Sequence, residues 1–392
     1  MLKLTIRNDR SGPAKGFHPW MFSKALASVP EGITPGEPVL LYDQSGNFLA
    51  SGYFNSYGQI SVRLWGQEEG EEAGMDFFAR RVARALYVRR QYVEKQDTNA
   101  YRLINGESDL LPGLIVDKYA DYLVVQFHTR GIERWKNDII DALERTMGPR
   151  GIYERSDIPV RHFDALQPVS GLLRGQVPDI IEIKENGLKF LVDVKEGQKT
   201  GFFLDQRDKR FAFMKYAREK HVLNCFSYTG GFSVYAMAGG AKRVISVDSS
   251  NRALDLAREN IVLNGFDASL CEFICEDVKK YLKGAGELFE AIILDPPAFI
   301  KDRRKKYEGL AGYKSINGMA LRHLVPGGIL LSCSCSAHLS LNDFRYLLSE
   351  VGAKAHRTMA ILEEYTHGID HPQLVPFTEG EYLKAIFLKD GF

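Results

Sequence analysis

From about residue 195 the chain alternates short apolar runs with helical stretches. "HVLNCF" precedes "GGFSVYAMAGG", "RVISVD" precedes "NRALDLARENIVLNG", and "FEAIILD" precedes a polar loop and a helix; "GGILLSCS" follows. Continuous apolar strands separated by helices indicate a doubly wound, Rossmann-like parallel sheet of the α/β class, buried on both faces. Such a sheet holds its ligand beyond the carboxyl ends of the strands, at the switch point of the topology.

The strand ends therefore carry the first clues. The first strand ends in "NCFSYTGG", where Gly230 and Gly231 let the backbone turn tightly against a ligand. The second ends at Asp248, 18 residues after Gly230, where a carboxylate can accept both hydroxyls of an adenosine ribose. The loop lacks the Gly-x-Gly-x-x-Gly of a dinucleotide site, and the chain has no phosphate-cradling Gly-Lys-Ser/Thr. An adenosine ligand without phosphates fits better, and S-adenosylmethionine is the common one. Asp277 ends the third strand and suits either the adenine amino group or the N-cap of "VKKYL". The fourth ends in Asp295-Pro296-Pro297, a rigid extended edge that turns backbone carbonyls and a carboxylate toward a planar base.

The chain ahead of this sheet reads differently. Residues 1–72 form short β segments with turn punctuation, including "EPVLLYDQSGNFLASGYFN" and "QISVRLW", and an acidic stretch at 66–74 closes them. Residues 73–190 open with a helix over 76–97 whose basic residues, Arg80, Arg81, Arg84, Arg89, Arg90 and Lys95, form either a solvated face or a phosphate-contacting one. A mixed α+β pattern follows, with a helix over 132–147. Residues 191–392 form the alternating domain. The net charge of +1 announces no nucleic-acid partner in bulk, so any basic surface is local. "KDRRKKYEG" is such a surface: Arg303, Arg304, Lys305 and Lys306 follow closely on Asp-Pro-Pro. No apolar run approaches the ~20 residues of a membrane span. No membrane partner is expected on that ground, and five cysteines, an odd and small number, argue against a disulfide scaffold and point to a reducing cytoplasm.

Two of those cysteines, Cys333 and Cys335, lie at the end of the last apolar run. Zinc with Cys271 and Cys275 is disfavoured because those two sit within one predicted strand, so no metal is expected. A disulfide between them would close a short, strained ring. Alternation puts both on one face, so direction does not separate packing from chemistry. Position does, since Cys335 is nearer the strand's carboxyl end.

At this point the residues carry a resemblance. Asp-Pro-Pro after the adenosine features resembles a class I S-adenosylmethionine-dependent methyltransferase acting on a nucleobase. "DVKEGQKTGFFLDQRDKR" (193–210), "GFHPWMF" (16–22) and "NGESDLLPGLIVDKY" (105–119) resemble the bacterial large-subunit ribosomal RNA methyltransferase I family across essentially the whole chain. The resemblance implies an N-terminal PUA β-barrel that binds RNA; in that module Lys15, His18 and Trp20 combine charge with an aromatic platform, although Trp20 equally suits the module's core. It implies cofactor contacts at Thr200, Gly201, Asp205, Gln206, Arg207, Ser227, Tyr228, Gly230, Asp248, Ser249, Asp277 and Asp295. It matches Ser334-Cys335-Ser336 to the family's Ser-Cys-Ser, making Cys335 the nucleophile of a cytosine-C5 methylation, Asp295 its partner at the base, and Cys333 and Cys225 packing. One departure stands out: many RNA cytosine-C5 enzymes carry Pro-Cys after the fourth strand, where this chain has Pro-Pro-Ala. The substrate implied is large-subunit ribosomal RNA, naked or in early assembly, with a homodimer left open. Methylation of a guanine ring nitrogen or exocyclic amine, which needs no thiol, is the competing chemistry, and a cofactor-binding RNA-binding protein without turnover is the third reading.

Overall fold

The structure is a computed structural model that describes residues 1–391. Its chain gathers into two compact units: one is Met1–Ile183, Val192–Leu204 and Ile369–Gly380, and the other is Lys184–Leu191, Asp205–Gly368 and the chain from Glu381 onward.

The first unit opens with β1 (Leu2–Thr5), a short helix α1 (Gly12–Lys15), β2 (Trp20–Phe22), β3 (Pro38–Tyr42), β4 (Phe48–Phe54) and β5 (Ile60–Gly66), in the sheet order β1-β3-β4-β5-β2. The turn between β3 and β4 is held by Asp43, whose Oδ1 accepts from Ser45 N and Asn47 N at 2.9 Å each. The ladder does not run closed as a barrel. A single antiparallel bridge, Ile6 with Leu26, joins the chain past β1 to the chain past β2, around a core of Leu4, Ile6, Met21, Val39, Leu41 and Val62.

Helix α2 (Met75–Tyr92) follows, then β6 (Ala100–Asn105), β7 (Leu114–Tyr119), β8 (Tyr122–Phe127), α3 (Arg130–Glu133), α4 (Lys136–Met147), β9 (Gly151–Ser156) and β10 (Val169–Gly175). These strands form a second sheet in the order β10-β9-β8-β7-β6. The single helix predicted over 132–147 is two, because Trp135 at φ −96° and ψ 16° leaves the helical path between them. Arg89 does not belong to the solvated basic face of α2. It shares the apolar face of Val82, Ala85 and Leu86, is buried, and grips the Asp109 carboxylate with two bonds of 2.7 Å. Tyr53 and Trp65 of the first sheet pack in one core with Phe77 and Phe78 of α2 and with Leu114 and Val125 of the second sheet. Residues 1–72 therefore share their interior with the segment that follows.

A hairpin of β11 (Ile180–Glu185) and β12 (Leu188–Asp193) carries the chain between the units. The second unit then runs α5 (Arg207–Met214), β13 (His221–Cys225), α6 (Gly231–Ala238), β14 (Arg243–Asp248), α7 (Asn251–Leu263), β15 (Cys271–Cys275), α8 (Val278–Gly284), β16 (Phe289–Leu294), α9 (Lys306–His323), β17 (Leu324–Ser334), α10 (Leu341–Lys354), β18 (Met359–Tyr365) and β19 (Lys384–Asp390). The sheet order is β15-β14-β13-β16-β17-β19-β18. The strands from β13 to β17 are parallel, and β19 is antiparallel to both β17 and β18. Strands β13, β14, β16 and β17 are buried along most of their length beneath covering helices, as the continuous runs require, with Asn224, Ser246, Ser332 and Ser334 as buried polar exceptions.

Candidate active site

The strand order reverses between β13 and β16, since β14 lies on one side of β13 and β16 on the other. That switch point opens a crevice at the carboxyl ends of the two strands. The loop after β13 enters it under strain. Phe226, Tyr228 and Gly230 all have positive φ, at 61°, 47° and 75°. The two bulky residues there cost of order 1–2 kcal/mol each, which the surrounding structure must over-determine. Part of that support is Asp248 at the end of β14, whose Oδ2 accepts from Tyr228 N at 2.8 Å and Oδ1 from Ser250 N at 3.0 Å. Gly230 has no substitute: a Cβ there would lie 2.8 Å from Ala257 Cβ on α7.

Around this loop the predicted positions separate. Gln206 and Asp295 meet, with Gln206 Nε2 donating to Asp295 Oδ1 at 2.9 Å. Asp205 is buried and its Oδ2 accepts from Tyr382 OH at 2.6 Å. Arg207 is buried at the start of α5. Asp277 takes the N-cap position, accepting from Lys280 N at 3.0 Å, and Ser249 is solvent-exposed. Thr200 and Gly201 belong to the other compact unit. There Thr200 is buried and donates to Asp117 Oδ2 at 2.6 Å, with Tyr119 OH 2.9 Å away. Gly201, at φ 128°, packs where a Cβ would sit 2.7 Å from Val192 Cγ1.

Three buried polar atoms at the switch point have no hydrogen-bond partner among the described residues: Ser227 Oγ, Thr229 Oγ1 and Gln206 Oε1. A buried hydroxyl or amide left unpaired costs about 1–3 kcal/mol. Ser227 and Thr229 in the loop braced by Asp248, with Gln206 at Asp295, fit a ligand rich in hydroxyl and amino groups, as an adenosylated amino acid is.

The cysteines resolve by what surrounds them. On β17 and just beyond it, serines and cysteines alternate, so they face opposite sides of the sheet. The serine side is tied to α9. Ser332 Oγ donates to Asn317 Oδ1 at 2.7 Å, Ser334 Oγ donates to Tyr313 OH at 2.9 Å, and Tyr313 OH and Ser336 Oγ meet at 2.9 Å. Ser336 Oγ also accepts from Ile300 N at 3.1 Å, beyond Asp-Pro-Pro. The opposite side holds Cys333 and Cys335. Cys333 is fully buried, and burial, with Asp295 next, pushes its thiol well up, so it stays protonated. Cys335 is only partly buried, and its Sγ lies 3.9 Å from Pro296 O, beside the Asp-Pro-Pro edge. Cys225 is buried too, with its thiol pushed up by burial alone. Cys271 and Cys275 lie on β15, four strand spacings from β17, or about 19 Å, too far to share a metal with Cys333 and Cys335.

Of the basic candidates, Arg303, Arg304 and Lys305 are exposed in a 3-10 turn; Arg304 bonds Asp302 and Lys306 pairs with Asp343 at 2.9 Å. Tyr307, 88% exposed, adds an aromatic face to this basic stretch that charge counting missed. In the first unit Lys15 is exposed. His18 Nε2 lies 3.1 Å from Glu379, while Trp20 donates to Glu107 at 2.8 Å and packs edge-on against Phe377. The open ring there is Phe17, 60% exposed at φ 64°.

The strand order, the switch-point loop and the strand-end carboxylates define an S-adenosylmethionine-dependent methyltransferase. The family of that description matches residues 158–388, and a PUA-like domain matches residues 4–67. A ribosomal RNA large subunit methyltransferase I from Tolumonas auensis is 42% identical over 389 residues, 98% of each chain, and one from Aeromonas salmonicida is 43% identical over 377 residues, 95% of each. The chain belongs to this ribosomal RNA large subunit methyltransferase I family. Among solved structures, a Streptococcus mutans protein described as a SAM-dependent methyltransferase superposes with a TM-score of 0.85 at 25% identity, covering 99% of this chain and all of its own. A second, crystallised with S-adenosylhomocysteine, gives 0.86 at the same identity and coverage. The methyl donor is thus S-adenosylmethionine. Among the described residues no helix is long and apolar enough to cross a membrane.

Proposed function

We propose that the chain forms 5-methylcytosine in large-subunit (23S) ribosomal RNA, with Cys335 as the nucleophile. What supports this reading most is the contrast between the two thiols: Cys333 is sealed on β17, whereas Cys335 stands partly open beside Pro296 O. Cytosine C5 is a poor nucleophile. Attack of the Cys335 thiolate on C6 makes the ring enamine-like and C5 nucleophilic. Bound S-adenosylmethionine supplies an electrophilic sulfonium methyl. Asp295, oriented by Gln206, accepts from the exocyclic amine and steadies the proton at N3. Loss of the C5 proton then expels the cysteine. The cofactor is held by Asp205, Gln206, Ser227, Tyr228, Gly230 and Asp248, with Arg207, Ser249 and Asp277 as further contacts.

A C5 inside a helix is out of reach, so the target is single-stranded or flipped, in naked RNA or an early assembly intermediate in the cytoplasm. Arg303, Arg304, Lys305 and Lys306 meet its phosphates and Tyr307 a base; Lys15, His18, Phe17 and Trp20 supply a second contact. Nucleoside mass mapping of 23S RNA from a deletion strain tests the reading. One 5-methylcytosine should vanish and return with the wild-type gene. Loss of an N-methylated base instead, or of none, would overturn it.

A further inference from the structure

Lys384 reads in sequence as an ordinary strand lysine, yet it is 1% exposed. Lysine is almost never buried without a carboxylate. Here its Nζ donates to two carbonyls, Ser336 O at 2.8 Å and Tyr382 O at 3.0 Å, and no carboxylate among the described residues pairs with it. The register explains its place. Ser334 of β17 faces Lys384 of β19, so the lysine stands where β17 ends and Cys335 begins.

We propose that Lys384 is a positioning residue for the reaction: its ammonium group, anchored on the carbonyl of the residue after Cys335, favours the thiolate at that sulfur. This rests on Cys335 being the nucleophile. Burial lowers the Lys384 pKa to about 8, while the charges of Glu381 and of ionised Cys335 act the other way. The coupling is reciprocal, so a thiolate that raises the lysine's pKa has its own lowered by the ammonium. Among the other titratable groups, Tyr313 from α9 couples to Cys335 across the sheet, while at the neighbouring Cys333 Asp295 past β16 raises the thiol's pKa and Lys209 from α5 lowers it. A lysine that merely tied β17 to β19 would affect stability but leave the thiol's titration alone.

The test is alkylation of the full chain with iodoacetamide across a pH series, read at Cys335 by peptide mass spectrometry, with exposed Cys275 as internal control. Lys384→Met should raise the Cys335 midpoint and cut its alkylation near neutrality about tenfold, one pKa unit. Lys384→Arg should keep the low midpoint, and Cys275 should not move. A Cys335 midpoint equal in wild type and Lys384→Met overturns the proposal, whatever Cys335 does in turnover. If Lys384→Met does not fold, Lys384→Arg decides against wild type. Loss of the lysine's proton should give the wild-type profile a second, alkaline step that the permanently charged arginine lacks, and identical profiles overturn the proposal. Failure of the nucleophile reading shows separately, as turnover by Cys335→Ala.

Discussion

Tyr313→Phe removes one oxygen from the serine side of β17 and tests whether Ser334-Cys335-Ser336 is a positioning device. Tyr313 is fully buried, and its hydroxyl accepts from Ser334 Oγ and meets Ser336 Oγ, both at 2.9 Å. Ser336 keeps a second partner in Ile300 N, but Ser334 Oγ, which still accepts from Ser336 N at 3.3 Å, loses the acceptor of its own proton among the described residues. One buried donor left unpaired costs about 1–3 kcal/mol. At ~2–4 °C per kcal/mol for a unit of this size, the melting temperature should fall by roughly 4–8 °C around the middle of that range. Cys335 lies between the two serines, so loosening them should also lower the methyl-transfer rate. Affinity for S-adenosylmethionine should hold, because this hydroxyl bonds Ser334 and Ser336, whereas Asp248 braces the 226–230 loop through Tyr228 N. Scanning calorimetry and single-turnover methyl transfer read the two effects. An unchanged melting temperature, or a lower one with full turnover, would refute the argument.

Asp248→Ala should weaken S-adenosylmethionine binding by isothermal titration about thirtyfold, roughly 2 kcal/mol, because it removes a carboxylate and the brace on Tyr228 N. Replacing Arg303 and Lys305 by alanine should lower RNA affinity and flatten its salt dependence by about 0.7 in log–log slope per lost contact, with cofactor affinity unchanged. Burial lowers His128 from 6.5 to about 4, so the unfolded chain binds this proton more readily between those values. The His128 contribution is therefore complete above pH 6.5 and is lost as the pH falls toward 4; urea denaturation of His128→Gln should show a shallower decline over that window.

The parallel sheet was legible because burial on both faces leaves an unbroken apolar run, and its strand ends located Asp248, Asp295 and Cys335. What surrounds those positions was not legible. Asp277 at an N-cap and Thr200 held by Asp117 and Tyr119 follow from three-dimensional placement. Arg89 is one of several arginines by spacing, and distant partners, Asp109 and the carbonyls of Arg102 and Asp370, make it internal. Strand alternation put Cys333 and Cys335 on one face but did not reveal that the serines alternating with them bond α9. Lys384 was hidden for the same reason: β19 pairs with β17 from 50 residues away, and the register alone brings its ammonium to the thiol's neighbour. Tyr53 and Trp65 read as parts of a separate module, although their rings complete a core with α2.

The most direct test of the account is to trap the enzyme on its substrate. Cytidine fluorinated at C5 has no removable proton there, so attack and methyl transfer can proceed but elimination cannot. Incubated with S-adenosylmethionine and target RNA carrying 5-fluorocytidine, the wild type should accumulate a covalent adduct whose peptide maps to Cys335. Cys335→Ala should give neither adduct nor turnover, and Cys333→Ala should give both. An adduct on Cys333, turnover by Cys335→Ala, or no adduct from the wild type would contradict the assignment.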